Sequence, residues 1–224
     1  MRRVLKILGW LVAFHLVLAL GLAAWLVIRA SRPSSPVGFQ QVRVADPGHA
    51  DIPVLIWYPT DSPPRLTLMG NSAAELASNG ALKGQGLPMV ILSHGTGGSG
   101  LSHVDTAFAL AEAGFVVVAP THPGDNFRDD SAVGTPRWLM DRSRQVRRVS
   151  DYMLATWPRH GQLDQDRVGM FGFSAGATTT LISIGGEPDM ALLASHCAAH
   201  PEFVCQLSKA GGNLPKAGDW THEP

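Results

Sequence analysis

The chain has 224 residues, of which 45% are hydrophobic and 16% are charged, and this composition excludes a mainly disordered protein. Lys and Arg together number 18, as do Asp and Glu, so the formal net charge is zero. Without a polybasic field to hold a phosphate backbone, nucleic acid is not an expected partner.

The first apolar run, residues 7–28, has the length of a membrane-spanning helix. Its one strongly polar side chain is His15, and about 20 apolar residues are enough to cross the hydrocarbon core. The basic residues Arg2, Arg3 and Lys6 precede the run, which favours a cytoplasmic N-terminus and an exported C-terminal part. A cleaved signal would have a shorter apolar region, about 7–15 residues. The sequence therefore favours a single-pass anchor in the inner or plasma membrane, with a secreted protein or a buried soluble helix as alternatives.

A segment rich in Pro and Ser follows the apolar run. Residues 29–36 predict a linker that carries the chain off the membrane surface. The expected organisation is then a cytoplasmic N-terminus over 1–6, an anchor over 7–28, this linker, and a folded domain over 37–224.

The two cysteines, Cys197 and Cys205, are eight residues apart. In an exported domain they predict a local disulfide, with two free thiols as the alternative. The neighbouring His196 and His200 show neither a CxxC nor an HExxH spacing, so no metal site is expected. No nucleotide or flavin cofactor is expected either.

From residue 40 onward, short strand-like runs alternate with helical ones, which predicts an α/β fold. Residues 40–44 and 53–58 are expected to form an antiparallel pair of strands. The stretch 59–86, rich in Ser, Gly, Asn and Pro, predicts a long loop with one helical turn near 72–77.

A parallel sheet is indicated by three apolar runs, 88–93, 116–119 and 168–171, which resemble strands covered on both faces. A helix over 102–113 joins the first two and completes a βαβ unit. A second amphipathic helix is expected over 138–156. Its inward face is predicted to hold Leu139, Val146, Val149, Met153 and Leu154, and its outward face Arg142, Arg144, Arg147 and Arg148.

The run 168–171 leads directly into Gly172-Phe173-Ser174-Ala175-Gly176, which matches Gly-x-Ser-x-Gly, and then into a helix over 177–183. A buried strand before the motif and a helix after it are the context that a nucleophile elbow requires. Such a turn presents the serine hydroxyl at a helix N-terminus, where N–H groups and the dipole favour developing negative charge. Ser174 is therefore the candidate nucleophile.

A second glycine-rich segment, Ser93-His94-Gly95-Thr96-Gly97-Gly98, directly follows the strand 88–93. It resembles the oxyanion-hole loop of esterases and lipases. The backbone N–H of Thr96 is expected to pair with that of Ala175, the residue after the nucleophile, and hold an oxyanion.

The chain resembles the α/β-hydrolase superfamily, and specifically bacterial serine hydrolases related to platelet-activating-factor acetylhydrolase and dienelactone hydrolase. The resemblance covers about residues 40–205 and rests on four segments, which are 57–59 (Trp-Tyr-Pro), 93–98, 120–126 (Pro-Thr-His-Pro-Gly-Asp-Asn) and 172–176. It implies a mostly parallel sheet with helices on both faces. Dienelactone hydrolases use a cysteine nucleophile, so Ser174 favours an acyl-ester hydrolase over a lactonase of that type.

In this superfamily the serine attacks an ester carbonyl, a histidine accepts its proton, and an acid orients the histidine. The implied substrates are short-acyl esters or phospholipids, in keeping with a role in lipid degradation. His94 and His122 lie at strand ends where active sites form, so they are expected to line the pocket with Gly95 and Phe173. His103, at a helix start, is expected to be structural.

The acid and base of the triad are not apparent in the 50 residues that follow Ser174. The superfamily order is Ser, then Asp or Glu, then His, on loops after later strands. Asp219 and His222 have this order but are too close in sequence to come from two strand ends, and no buried strand is apparent after Ser183. The expectation is a hydrolase domain incomplete at its C-terminus, with little turnover of its own.

Two other functions are compatible with parts of the sequence. A hydrolase remnant without a base would be a catalytically dead, membrane-tethered binding module. Residues 95–100 also fit G-x-G-x-x-G between a strand and a helix, as in dinucleotide-binding proteins. That motif needs an acidic residue about 20 positions further on, where this chain has Ala119-Pro120-Thr121.

Overall fold

A computed structural model describes residues 2–210 except 71, 136 and 201. The strands in this part are β1 (Val37–Val44), β2 (Ile52–Pro59), β3 (Arg65–Met69), β4 (Ser72–Ser78), β5 (Leu87–Ser93), β6 (Val116–Pro120) and β7 (Leu163–Gly172). The helices are α1 (Arg2–Arg29), α2 (Val104–Glu112), α3 (Trp138–Asp151), α4 (Ala175–Ser183), α5 (Met190–Ala199) and α6 (Phe203–Ala210). A π-helical turn, Tyr152–Thr156, continues α3, and a short 3₁₀ turn, His160–Gln162, precedes β7.

The described strands form one mixed sheet in the order β3-β4-β1-β2-β6-β5-β7. β1 and β2 are antiparallel, as predicted, and β5 is parallel to both β6 and β7. The predicted βαβ unit is thus present, with α2 as its helix. Because β5 and β7 are parallel neighbours with Ser93 opposite Gly172, their carboxyl ends meet at the same edge of the sheet.

Each face of the sheet has its own hydrophobic core. Residues of β2 alternate between the two faces, so that Ile56 contacts the α3 side and Trp57 the α2 side. On the first face Val149 and Met153 pack against the sheet, and on the second face Phe108 does so. The mixed sheet with helices on both faces is the α/β architecture expected from the sequence.

The expected long loop over 59–86 is wrong, because this stretch contains the hairpin of β3 and β4. Ala74 and Leu76 of β4 are buried, and β4 pairs with β1 on its other edge through Gly38 and Phe39. Strand pairing and burial determine the structure of this segment, because the local preferences of its Ser, Ala and Glu residues for strand or helix are weak.

The expected outward position of Arg142 on α3 is also wrong. Its side chain is only 1% exposed, whereas Arg147 and Arg148 lie on the surface as predicted. Arg142 is four residues before Val146 and seven before Val149, and this spacing places it on the inward stripe of the helix.

The predicted third strand, β7, is present but is not covered on both faces within the described residues. It is the edge strand of the described sheet, and its Val168 and Phe171 are 40% and 42% exposed. The apolar character of this strand is therefore not explained by the contacts that the described part of the chain provides.

The apolar N-terminal segment forms one helix, α1, and the linker that follows it contacts the domain. Residues Lys6–Arg29 of α1 are long and apolar enough to cross a membrane, and none of this span is buried against the domain. The linker is held against the domain. Ser31 exchanges two backbone hydrogen bonds with Ala73 and Glu75, and Arg32 forms an ion pair with Glu75 at 2.8 Å.

A disulfide joins the last two described helices. Cys197 of α5 and Cys205 of α6 are bonded, with their Cα atoms 5.4 Å apart. Both cysteines are buried. The bond links two short helices that have few other contacts with the sheet in the described part of the chain.

Candidate active site

The candidate nucleophile lies on a sharp turn between β7 and α4. β7 ends at Gly172 and α4 begins at Ala175, so two residues make the connection. Ser174 has φ 54° and ψ −121°, a conformation that costs a residue other than glycine about 1–3 kcal/mol. Its side chain is exposed. The strand, turn and helix that the Gly-x-Ser-x-Gly motif requires are all present around Ser174.

The two glycines of the motif allow this tight turn. A Cβ atom on Gly172 would lie 2.0 Å from the carbonyl oxygen of Gly176, and a Cβ atom on Gly176 would lie 2.0 Å from that of Ser93. Both obstacles are backbone atoms, which cannot rotate away as a side chain can. Only glycine at these positions lets α4 start directly against the end of β5.

The loop after β5 runs alongside the turn. A Cβ atom on Gly95 would lie 3.3 Å from the Cβ of Ser174 and 3.2 Å from the ring of Phe173. The N–H of Phe173 donates a hydrogen bond to the carbonyl of Ser93 at 3.2 Å. We call residues 93–98 the glycine loop. The glycine loop is thus in direct contact with the turn formed by Phe173 and Ser174, which we call the serine turn.

The two predicted oxyanion-hole donors are the backbone N–H groups of residues adjacent to this contact. Thr96 follows Gly95 on the glycine loop, and Ala175 is the first residue of α4. Within the described residues, neither N–H donates a hydrogen bond. The N-terminal end of α4 adds the positive end of its dipole. The arrangement can therefore stabilise negative charge that develops beside Ser174.

The N–H groups further along this segment are already occupied. Those of Gly97, Gly98, Ser99 and Gly100 donate respectively to the Asp125 carboxylate, the Gly95 carbonyl, the Ser102 hydroxyl and the Thr121 hydroxyl. A dinucleotide-binding loop needs such groups free for the pyrophosphate. The G-x-G-x-x-G match is therefore not accompanied by the geometry of a dinucleotide site.

A buried polar cluster lies beneath the glycine loop. It consists of Ser93, His94, His122, Asp125, Arg142, Gln145 and Thr179. The structure places His94 and His122 in this cluster, 1% and 0% exposed, and not on the surface of a pocket. Of the other residues expected to line the pocket, Gly95 is buried against the turn and Phe173 is 60% exposed beside Ser174.

The hydrogen bonds of His94 indicate which ring nitrogen carries its proton. Nε2 accepts a bond from the backbone N–H of His122 at 3.1 Å, so it is unprotonated. Nδ1 then carries the proton and donates it to the carbonyl of Gly95 at 2.7 Å. The neutral ring thereby fixes the position of a carbonyl group in the glycine loop.

The hydrogen bonds of His122 likewise indicate which of its ring nitrogens carries the proton. The Gln145 amide donates from its nitrogen to the carbonyl of Pro123, so its oxygen accepts from His122 Nδ1 at 2.8 Å. His122 Nε2 therefore accepts the hydroxyl proton of Ser93 at 3.0 Å. Both nitrogens of each imidazole are used within the cluster.

Both histidines are held in the neutral form. Burial lowers the pKa of His94 to about 4, and the positive charge of Arg142 acts in the same direction while the bond to Gly95 opposes it. Burial, followed by the positive charge of Arg142 and by repulsion from His94 when that ring is protonated, holds the pKa of His122 well below its usual value. Neutral, fully bonded imidazoles of this kind have no free nitrogen to accept the proton of Ser174.

Sequence reasoning missed the role of Arg142 and Asp125 in this cluster. Arg142 Nη1 and Asp125 Oδ2 are 2.6 Å apart, and both side chains are 1% exposed. The spacing of Arg142 from Val146 and Val149 was the signal that could have found it. No comparable local pattern distinguishes Asp125 from the rest of the segment 120–126.

No described histidine is hydrogen-bonded to the Ser174 hydroxyl. The ring of His103 packs edge-on against Phe171 and Phe173, with centroids 5.4 and 5.7 Å away, which agrees with the expected structural position. Asp219 and His222 lie outside the described residues. Among the described residues, no group of His, Cys, Asp and Glu side chains is arranged to hold a metal ion.

Comparisons with known proteins agree on the type of fold. The family model of platelet-activating factor acetylhydrolase, isoform II, matches residues 64–155, a segment that contains the glycine loop, Asp125 and Arg142 but ends before Ser174. A ferulic acid esterase from Streptomyces cinnamoneus superposes with a TM-score of 0.59 at 19% identity, over 69% of this chain and 58% of that one. This chain has the α/β-hydrolase fold.

Two further solved structures have lower scores. A dienelactone hydrolase-like promiscuous phosphotriesterase from metagenomic libraries gives a TM-score of 0.46 at 18% identity, over 66% of this chain and 54% of that one. A dienelactone hydrolase from Anabaena variabilis gives 0.43 at 17% identity, over 64% and 55%. No curated protein sequence matches significantly. In all three structural comparisons, this chain spans less than two thirds of the relative.

The neutral histidines predict a dependence of stability on pH. The folded protein has a His94 pKa of about 4 against an unfolded value of 6.5, so the unfolded chain binds more protons between these values. The free energy of unfolding should therefore be highest above pH 6.5 and fall by ~3 kcal/mol towards pH 4 through His94 alone. Urea unfolding, followed by tryptophan fluorescence at a series of pH values, measures this.

In the His94→Gln variant, the free energy of unfolding should change less with pH over this range than in wild type, because the glutamine side chain does not titrate. His49→Gln, at an exposed position, is the matched control and should keep the wild-type slope. Equal slopes for all three proteins would contradict the assignment of a buried, neutral His94.

The strained backbone of Ser174 predicts an unusual gain in stability. Ser174→Gly removes the Cβ that makes φ 54° unfavourable, so the free energy of unfolding should rise by about 1 kcal/mol. Ser174→Ala keeps a Cβ and should stay within about 0.5 kcal/mol of wild type. Thermal unfolding of the two variants side by side gives the comparison, and a glycine variant no more stable than the alanine variant would show that the turn is not strained.

Proposed function

We propose that this chain is a serine hydrolase of carboxylic esters in which Ser174 is the nucleophile. The observation that carries the proposal is the contact between the strained serine turn and the glycine loop, with the N–H groups of Thr96 and Ala175 beside it. A nucleophile on a strained turn next to such donors is the arrangement needed for acyl transfer.

In the proposed reaction, Ser174 Oγ attacks the ester carbonyl carbon and forms a tetrahedral intermediate. The N–H groups of Thr96 and Ala175 hold the negative charge on the former carbonyl oxygen, and each such donor is typically worth about 3–4 kcal/mol of transition-state stabilisation. The bond between the carbonyl carbon and the alkoxy oxygen then breaks, and the alcohol leaves with the proton that Ser174 Oγ gave up. Water adds to the carbonyl carbon of the acyl-enzyme, the carboxylic acid is released, and a proton of the water returns to Ser174 Oγ. The proposal assigns to the described residues the nucleophile and the oxyanion hole, and it assigns the general base to none of them.

The proposed substrate is an ester with a short acyl group, such as the acetyl ester of a phospholipid. The matched family is named for removing an acetyl group from platelet-activating factor, and the matched segment includes the glycine loop. The exposed Phe173 provides an apolar contact surface directly beside Ser174.

A fluorophosphonate tests the role of Ser174, because it reacts covalently with an activated serine hydroxyl. Full-length protein should be labelled, with the adduct on Ser174 in peptide mass spectrometry, and Ser174→Ala should lose the label. Ser195→Ala, which removes another exposed serine, is the matched control and should be labelled as wild type. Absence of labelling in the wild type would favour the second candidate, a hydrolase-fold binding module without catalysis, which the lack of a described base partner for Ser174 also favours.

We also propose that α1 anchors the protein in a membrane and that the hydrolase domain is exported, as the apolar span and the basic residues before it suggest. The anchored protein would meet lipid esters at the membrane surface.

After expression in bacteria, the full chain should stay in the membrane pellet in alkaline carbonate, and a protein lacking residues 2–29 should be released. An added protease should reach the domain only from the outer side. Release of the full chain by carbonate would contradict the anchor, and protection of the domain from outside would contradict export.

A further inference from the structure

One buried ion pair contacts both halves of the candidate site. Arg142 comes from α3 and Asp125 from the connection between β6 and α3, and neither residue belongs to the serine turn or the glycine loop. We propose that Arg142 and Asp125 are positioning residues that hold the glycine loop and the start of α4 in the geometry of an oxyanion hole. This inference rests on the proposed function, and it assigns a role to residues that do not touch the substrate.

The Arg142 guanidinium connects three separate segments. Its Nε donates to Thr179 Oγ1 on α4 at 3.0 Å, and its Nη1 donates to Asp125 Oδ2 at 2.6 Å. Its Nη2 reaches the end of β5, where it donates to Ser93 Oγ at 3.2 Å and to the carbonyl of His94. A planar group with donors on both sides suits this task, whereas the single ammonium of lysine cannot reach all of these acceptors at once.

The Asp125 carboxylate extends the connection to the glycine loop. Its Oδ1 accepts the backbone N–H of Gly97 at 2.8 Å, and its Oδ2 accepts Trp138 Nε1 at 2.5 Å as well as Arg142. The bonded Gly97 N–H follows directly after Thr96. Fixing the peptide on one side of Thr96 limits the directions in which the Thr96 N–H can point.

Thr179 makes the matching connection to the second donor. Its Oγ1 accepts the bond from Arg142 and donates to the carbonyl oxygen of Ala175 at 2.8 Å. Ala175 is the residue whose N–H is the other proposed donor. Thr96 is therefore next to a residue that is bonded to the ion pair, and Ala175 is linked to the pair through the hydroxyl group of Thr179.

A contribution to folding stability does not by itself explain why Arg142 and Asp125 are buried together. Removing two charges from water is costly, and well-packed apolar residues are often as stable in the same place. Here, however, all the hydrogen bonds of the two charged groups except their mutual bond and the one from Trp138 end on Ser93, His94, Gly97 and Thr179. These four residues are members or supports of the site. An apolar replacement would fill the volume but would leave the glycine loop without these bonds.

The experiment compares Arg142→Met, the double variant Arg142→Met/Asp125→Leu, and Arg144→Met. Arg142→Met leaves the Asp125 charge buried and unpaired and is expected to be unstable. The double variant removes both charges and should recover much of the lost thermal stability. Arg144→Met is the matched control, because Arg144 lies on the same helix and pairs with Asp46 and Asp141, away from the glycine loop.

The first readout is hydrogen–deuterium exchange, which does not depend on any reaction of Ser174. In the double variant, the peptide covering residues 94–101 should exchange faster than in wild type, while peptides from β5 and β6 should be unchanged. In Arg144→Met, exchange in 94–101 should stay at the wild-type rate. Unchanged exchange of this peptide in a folded double variant would overturn the proposal.

The second readout is the rate constant for fluorophosphonate labelling of Ser174. The folded double variant should be labelled at least about tenfold more slowly than wild type, since displaced donors no longer stabilise the phosphoryl oxygen, and Arg144→Met should be labelled normally. Wild-type labelling rates in the double variant would overturn the positioning role while leaving the proposed function intact. If wild type is not labelled at all, the proposed function fails, and the exchange of residues 94–101 alone decides whether the pair orders the loop.

Discussion

The ion pair between Arg142 and Asp125 is the interaction on which the candidate site depends. It is fully buried, so each charge needs the other and every remaining donor and acceptor needs a partner inside the protein. These partners come from the end of β5, from the glycine loop and from α4. The electrostatic requirement of one pair thereby fixes three segments that are distant in sequence. It also reinforces the neutral state that burial imposes on His94 and His122, because a buried guanidinium opposes protonation of these neighbouring rings.

A second constraint comes from the backbone. β5 and β7 are parallel neighbours, so the glycine loop and the serine turn leave the sheet at the same edge. Gly172 and Gly176 then let α4 start so close to Ser93 that no side chain fits between them. Ser174 stays in its strained conformation because the strand before it and the helix after it are both fixed by these contacts.

The elements with a strong local pattern could be predicted from the sequence. Continuous apolar runs identified β5 and β6, and the Gly-x-Ser-x-Gly motif identified the turn at Ser174, because these signals do not depend on distant partners. The hairpin of β3 and β4 was missed, since its short strands are defined by pairing with β1 and with each other. The exposure of β7 was also missed, because an apolar run does not show which other segments of the chain pack against it.

The buried polar cluster could not be predicted from the sequence, because its members come from distant segments. Arg142 was assigned to the solvent because arginine is usually exposed, although its spacing from Val146 already placed it inward. Its partner Asp125 is 17 residues away and on another segment, so no local pattern joins them. His94 and His122 were correctly located at strand ends, but whether a side chain points into a pocket or beneath a loop depends on tertiary packing.

An oxyanion hole formed by the serine turn and the glycine loop would be visible in a crystal structure of the protein after reaction with a small organophosphonate. We expect a covalent bond between phosphorus and Ser174 Oγ, with the phosphoryl oxygen about 2.7–3.1 Å from the N–H groups of both Thr96 and Ala175. An adduct on another residue, or a phosphoryl oxygen turned away from these two groups towards solvent, would contradict it.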